Sequence, residues 1–451
     1  MKNIRLYSVI SLIFLGILIS RQYRVSNNDQ WGGYPIPDDS LLTLVEYRTF
    51  QYFWDGAEPV SGMARERIHM DGEYPDNDMN VVTTGGTGFG VMAILIGIER
   101  DFITRQEGYE RFRQIVDFLK IAERFHGAWS HWIYGETGKV KPFSKKDNGA
   151  DLVETAYLMQ GLLAVRQYFS DGTESEKKLA EDINRLWRGI EWSWFTKGGE
   201  DVLYWHWSPD YRWEMNFPVK GYNECLILYV LAASSPTYPV HSRAYHQGWA
   251  RGGDIKAVTR KFDYLLTLKH NGAEEYGGPL FWSHYSYLGL DPRNLKDKYA
   301  DYWRENTNHT LINWQWCATN PLDYEGYNED CWGLTASYSV ESYAAHAPGE
   351  KKDLGVISPT AALSSLPYTP NRSMDAIRHF YYVLGDKVWG DYGFYDAFSV
   401  EYDWFPERYL AIDQGPAVVM IENYRTGFIW NLFMSTPEIQ KGLKRLGFSW
   451  Q

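Results

Sequence analysis

Cysteine is nearly missing from this chain. Three thiols, Cys225, Cys317 and Cys331, are spread over 451 residues, with no CxxC pair and no zinc-ligand spacing. That argues against a disulfide scaffold or a structural zinc site. Two of the three sit in or beside apolar runs, so buried free thiols are expected. Basic charge is also short: 45 Lys and Arg face 57 Asp and Glu, for a net charge of −12. Without a basic stripe a nucleic-acid partner is not expected, and neutral or cationic ligands suit the surface better. GxSxG, HExxH and P-loop signatures are absent. The 11 histidines are scattered without ligand spacing, so neither metal nor cofactor is expected. "GGTGFG" (Gly85–Gly90) has no preceding strand and does not read as a nucleotide loop.

Long apolar runs are equally scarce. The one at the N-terminus, Leu6–Ile19, follows Lys2 and Arg5. It is short for a membrane span and has the layout of a secretory signal. No small-x-small cleavage site follows, so residues 1–25 are expected to be a signal peptide or an uncleaved anchor. No cysteine follows either, which argues against a lipoprotein anchor. The expected location is periplasmic or secreted. From residue 30 onward no linker or low-complexity break appears, and 30–451 reads as one domain, expected to be monomeric.

What is plentiful is aromatic side chain: 17% of residues, with 20 Trp and 34 Tyr. Flat apolar faces with polar edges suit a wet groove that stacks sugar rings, although a large core uses them too. Two kinds of segment alternate along the chain. Ser40–Gly56, Ile103–Phe125, Glu174–Phe195 and Ser373–Gly385 are amphipathic at helical spacing. Gly85–Ile98, Gly149–Val165, Gly221–Ser234, Gly326–Ser337, Ser358–Leu366 and Asp413–Tyr424 are almost uncharged after their first residues and rich in Gly, Ala and Ser. A helix apolar all round is buried on every side. Six buried helices interleaved with amphipathic ones predict an all-α (α/α)6 barrel, with long aromatic-rich loops between the rings.

Acids recur where the buried segments begin. "GYNE" occurs twice, placing Glu224 and Glu329 at two such starts. Asp147, Asp151 and Glu154 fall at i, i+4 and i+7, on one face if a helix begins near Asp147. Asp413 opens the sixth buried segment. Each acid alone also reads as an ordinary helix-start charge. In a closed ring, however, these starts gather at one rim, and crowded carboxyls supply the ionised and protonated pair that glycosidic cleavage needs. The most apolar helix follows Glu224, which therefore suits a general acid, with Asp151 on the base side and Asp147 and Glu154 tuning it or relaying its proton. Trp54, Arg65, Trp205, Phe217, Asn223, Trp282, Tyr327, Glu329, Tyr395 and Trp404 are the expected sugar contacts. A helical glycan-binding protein that does not cut its ligand is the alternative from another class.

"YFWDGAEPVSGMARER" (Tyr52–Arg67), "GGTGFG", "NGADLVETAYLMQGLL", the "GYNE" starts and "AIDQGP" resemble the glycoamylase-like domain. The chain from about residue 35 to its end is similar to glycoside hydrolase family 144, the endo-β-1,2-glucanases. The resemblance implies an (α/α)6 barrel that hydrolyses linear β-1,2-glucan to short sophoro-oligosaccharides, without a metal and with inversion. It implies catalytic candidates at Asp147, Asp151, Glu154, Glu224 and Asp413. An exo-acting β-glucosidase or a transglycosylase on the same glucan would share these motifs.

Overall fold

The computed structural model describes residues 35–450. The chain divides into two units, Met1–Val45 and Glu46–Gln451. Of the first unit, only the start of helix α1 (Asp38–Trp54) and the three residues before it are described. The expected leader lies outside the described residues. Among the described residues no helix is long and apolar enough to cross a membrane.

The second unit is an (α/α)6 barrel. Its inner ring begins with α2 (Thr84–Glu99), buried from Thr84 to Ile98. Next come α4 (Leu152–Phe169) and α6 (Leu226–Ser234), the latter buried throughout. The short α8 (Pro359–Ser364) and α10 (Ala411–Arg425) belong to the same ring. The outer layer alternates with it: α3 (Arg105–Ile121), α5 (Glu174–Arg188), α7 (Tyr302–Thr319) and α9 (Pro370–Arg378). Thr104–Glu107 and Thr173–Glu176 form capping boxes that start α3 and α5.

Around the ring α4 packs on α2, α2 on α10, and α10 on α8. In the other direction α4 packs on α6. The remaining inner position is filled by two 3-10 turns, Leu280–Ser283 and Tyr285–Tyr287. Tyr285–Tyr287 packs on α6, and His284 Nε2 meets Ser365 Oγ at 3.0 Å just beyond α8.

This corrects the expectation that Gly326–Ser337 is an inner helix. That stretch is an extended connection ending in a short strand. Gly333 has φ +133°, which a helix cannot use. The Asn313 side chain takes both the N–H and the C=O of Leu334, at 3.1 Å each. The true inner piece lies in the aromatic stretch expected to be loop.

The α2–α4 contact is made by bare backbone. A Cβ on Gly161 would lie 2.0 Å from Gly88 O, and one on Gly88 would lie 2.2 Å from Tyr157 O. The glycines of "GGTGFG" are thus packing residues. Several short strands stitch the connections. Strand β1 (Arg67–His69) pairs with β8 (Arg408–Leu410), β2 (Val81–Thr83) with β3 (Trp132–Tyr134), β4 (Ala150–Asp151) with β5 (His206–Trp207), and β6 (Ala336–Tyr338) with β7 (Tyr343–Ala345). The three cysteines are free and buried.

Candidate active site

A cavity of 350 Å³ opens where inner elements start and the short strands cross. Three carboxyls, Glu66, Glu154 and Glu224, face it with His131 and the Arg67 guanidinium. Its walls are aromatic, with Trp132 and Phe143 beside His131, Trp205 stacked on His206, and Tyr157, Phe281 and Tyr285 on inner-ring elements. The β6–β7 hairpin adds Tyr338 and Tyr343.

Asp151 is the N-cap of α4. Its Oδ1 accepts from the N–H of Val153 at 3.0 Å and of Glu154 at 2.9 Å, as an acid at a helix start does. Its Oδ2 meets His131 Nδ1 at 2.9 Å, and His206 Nε2 lies 3.9 Å away. Burial opposes ionisation of Asp151. The His131 hydrogen bond and charge, His206 and the Glu154 N–H overcome it and hold the carboxyl below its usual value. Burial also works against a charged His131, but Glu154, Asp151 and Asp147 push it up to about 9. Asp147 is raised to about 7 by burial and by Asp151. The helix begins at Leu152, not near Asp147, which lies in a turn upstream and reaches His206 Nε2 at 3.5 Å. The one-face reading of the three acids is corrected accordingly: a turn, an N-cap and a first helical turn bring them together.

Glu154 Oε2 accepts from Gly85 N at 2.8 Å, across from α4 to the start of α2. Burial, together with the Asp151 charge, raises Glu154 to about 7, although His131 and the Gly85 N–H pull it down. Glu224 precedes α6, and its backbone carbonyl accepts from the Ser286 hydroxyl and, at 3.3 Å, from Tyr157 Oη. Its buried Oε2 has no partner. Burial above all raises its carboxyl to about 7.

Asp413, in the first turn of α10, sits behind the wall. Its Oδ1 accepts from Tyr285 Oη at 3.3 Å. It is paired with Asp396, which the sequence reading missed. Asp396 Oδ2 accepts from the backbone N–H of Tyr338 at 2.8 Å. Asp396 Oδ1 and Asp413 Oδ2 are both buried without a donor. One proton held between the two carboxyls satisfies both. Burial and the facing Asp396 raise Asp413 far above its usual value, and burial raises Asp396 to about 7.

Other expected contacts divide. Trp205 lines the cavity, and exposed Phe217 packs edge-on against it at 5.6 Å. Asn223 caps the turn into α6 through Cys225 N. Arg65 instead clamps the carbonyls of Gly56, Ala57 and Met79, while its neighbours Glu66 and Arg67 face the cavity. Trp54 lies under the Arg111 guanidinium, and Tyr327 donates to Asp353. Trp282 packs beside Gly278, Tyr395 against Tyr409, and Trp404 on a small cluster with Val356 and Ala397. Glu329 is exposed on a turn between Asn328 and Cys331, because its segment is not a helix start. Of the ten expected contacts, Trp205 alone is part of the cavity lining.

His131, Asp147 and Asp151 offer donor atoms within 4.8 Å of one another, the spacing a cation could use. His131 carries its proton to about pH 9 and spends Nδ1 on Asp151.

Protonatable carboxyls facing one aromatic-walled cavity, with the ionised Asp151 just behind Glu154, are the groups that the class of glycoside hydrolases uses. A glycoamylase family model ("Putative glucoamylase") matches residues 216–437. The endo-β-1,2-glucanase of Chitinophaga pinensis, solved with sophorotriose and glucose, is 64% identical. The match covers 92% of this chain and 99% of that one, with a TM-score of 0.91. An exo β-1,2-glucooligosaccharide sophorohydrolase (non-reducing end) of Parabacteroides distasonis is 47% identical over 429 residues, 92% of this chain and 58% of the relative, so the chain spans little more than half of that protein. The fold is shared at 11% identity with an endo-β-1,2-glucanase of Talaromyces funiculosus, covering 91% of this chain and 90% of that one, with a TM-score of 0.65. The chain belongs to the glycoamylase-like glycoside hydrolase family 144.

Proposed function

We propose that the protein hydrolyses linear β-1,2-glucan by endo action with inversion, releasing short sophoro-oligosaccharides. The observation that carries this reading is Glu154 and Glu224 facing one cavity from two different inner-ring starts, each poised near neutrality. The linkage and the endo mode rest on the relative matched at 64% identity.

Glu224, protonated in its apolar seat, donates its proton to the glycosidic oxygen. The C1–O bond breaks and its electron pair stays on the leaving sugar. A water attacks C1 from the opposite face. Its proton passes through Glu154, which faces the cavity, into the cluster whose ionised member is Asp151. Tyr and Trp faces hold the sugar rings, and protonated His131 donates to a substrate hydroxyl. The charged-then-apolar start of the chain supports a periplasmic or secreted location, which fractionation of the native host tests.

NMR of the first products from β-1,2-glucan tests the reaction. The α-anomer at the new reducing end is expected, and the β-anomer overturns inversion. Glu224→Gln and Asp151→Asn are each expected to lower kcat at least about 1,000-fold. Near wild-type turnover by both sinks the assignment. Exo action is the second reading, favoured by the P. distasonis relative. One small product from the first minute, in place of mixed oligomers, would establish it.

A further inference from the structure

A second groove, of 610 Å³, lies away from the cavity and shares no lining residue with it. It is built by the 3-10 turn Trp192–Thr196 after α5, the Lys197–Gly199 bend and the side chains of Trp213 and Tyr238. Three aromatic polar tips in it are unused. The indole N–H groups of Trp194 and Trp213 and the hydroxyl of Tyr238 make no hydrogen bond among the described residues, nor are they sealed from solvent. Among the described tryptophans without a hydrogen-bonded indole N–H, the nitrogen is buried in Trp187, Trp192, Trp205 and Trp249 and reaches solvent in others, Trp207 and Trp282 among them.

The groove is rigid. Trp194 stacks on His126 at 3.4 Å and on Trp213 at 4.8 Å, and Trp213 meets Tyr204 edge-on at 5.7 Å. Lys197 is tied to Asn216 Oδ1 at 2.8 Å, in the left-handed region at φ +52°. Glu191 gives one carboxylate oxygen to His126 Nδ1 at 2.9 Å and remains 37% exposed, leaving an acceptor at the rim. Beyond Lys197, a Cβ on Gly198 or Gly199 would meet nothing within 4 Å, so the floor is open. One acid and one base leave no strong field of either sign. Pre-ordered aromatic surface, free N–H and O–H tips and a near-neutral rim fit a neutral oligosaccharide and neither an anion nor a cationic peptide.

We infer that this groove is a non-catalytic glucan-binding site, which anchors a long substrate chain by a segment outside the cavity. The inference rests on the proposed glucanase activity for the identity of the glycan. A remote anchor adds affinity for chains long enough to reach both sites and nothing for short ones. Loss of one aromatic contact worth about 0.5–1.5 kcal/mol corresponds to about a 2- to 12-fold change in binding.

The test uses Trp213→Ala and Tyr238→Ala separately, because Tyr238 is 41% exposed and its loss leaves the packing intact. KM for long β-1,2-glucan is expected to rise about 5-fold in each, with kcat and KM on sophorotetraose unchanged. Unchanged KM on the long chain, or parallel losses on both substrates, overturns the anchor. A second readout needs no turnover: in Glu224→Gln protein, glucan is titrated while the indole N–H resonances are followed by NMR. Those of Trp194 and Trp213, assigned through Trp213→Ala, are expected to move, and silence at both overturns the site. Should the wild type fail to cut β-1,2-glucan while these resonances move, the function falls and the groove stands. Cleavage with silent resonances leaves the function standing and removes the groove.

Discussion

Asp396 shows how a single side chain is placed by the fold and by nothing local. It lies in "FYDAFS", bound to the Tyr338 N–H and paired with Asp413. The native pair keeps a proton that the unfolded chain gives up above the ordinary Asp value of 3.8. The stability that Asp396 contributes to this pair is therefore complete below that pH and is lost as pH rises towards about 7, while Asp413 holds its proton higher still. Asp396→Asn supplies a neutral N–H donor to Asp413 and removes that loss. Its thermal stability relative to wild type is expected to improve between pH 5 and pH 8, on the order of 1 kcal/mol. Differential scanning calorimetry at the two pH values measures this, and a pH-independent difference would contradict the shared proton. Glu224 carries a second prediction. The acid must be protonated to work, so kcat/KM is expected to fall on the alkaline side of a limb near pH 7, where burial sets its value. Of the acids in the site, those at helix starts were legible, because a run of apolar residues after an Asp or Glu marks a start. Glu66 and His131 were not. A two-residue alternation around Arg65 would have put Glu66 and Arg65 on opposite faces, but a strand of three residues carries too little pattern to reveal it.

At the level of elements, the α2–α4 contact makes a testable claim. Gly161→Ala forces a methyl against Gly88 O and is expected to cost about 3 kcal/mol in a denaturant melt. Gly85→Ala meets the movable end of Glu154, 2.4 Å away, and the edge of the Tyr157 ring at 3.0 Å, with no backbone in the way. Its melt is expected to stay within about 1 kcal/mol of wild type while kcat drops at least about 10-fold. Equal, small effects of both variants on both readouts would remove the glycines from the argument. The alternation of wholly apolar and half-apolar segments was enough to read two concentric rings. It misplaced one inner element because 280–288 carries Trp, His and Tyr in place of an aliphatic run. Side chains of this stretch pair with buried partners: Tyr285 with Asp413, His284 with Ser365, Ser286 with the Glu224 carbonyl. The second "GYNE" looked like its twin, yet the backbone after it, at Leu334, is tied to Asn313 and not to a helical turn of its own.

The whole molecule needs no covalent staple. Its three thiols are enclosed by packed side chains, and burial lifts each above the ordinary cysteine range. Ellman's reagent is expected to find none in the native protein and all three in guanidinium, with the same melting temperature with and without reductant. Reaction of a native thiol would contradict the packing. Composition had pointed this way, since a chain of 451 residues has ample core without bridges. What composition could not convey is which connections cross above the cavity, because Tyr338, Tyr343 and Glu66 arrive there through pairings distant in sequence. The glycine seam between α2 and α4 bears on how such a protein can diversify. Where two helices touch through bare main chain there is no side chain to resize, and so no gradual route to a wider floor. Relatives that come to cut a different length of glycan are left to do it overhead, in hairpins and bends that can lengthen or shrink while the acids beneath them stay in register.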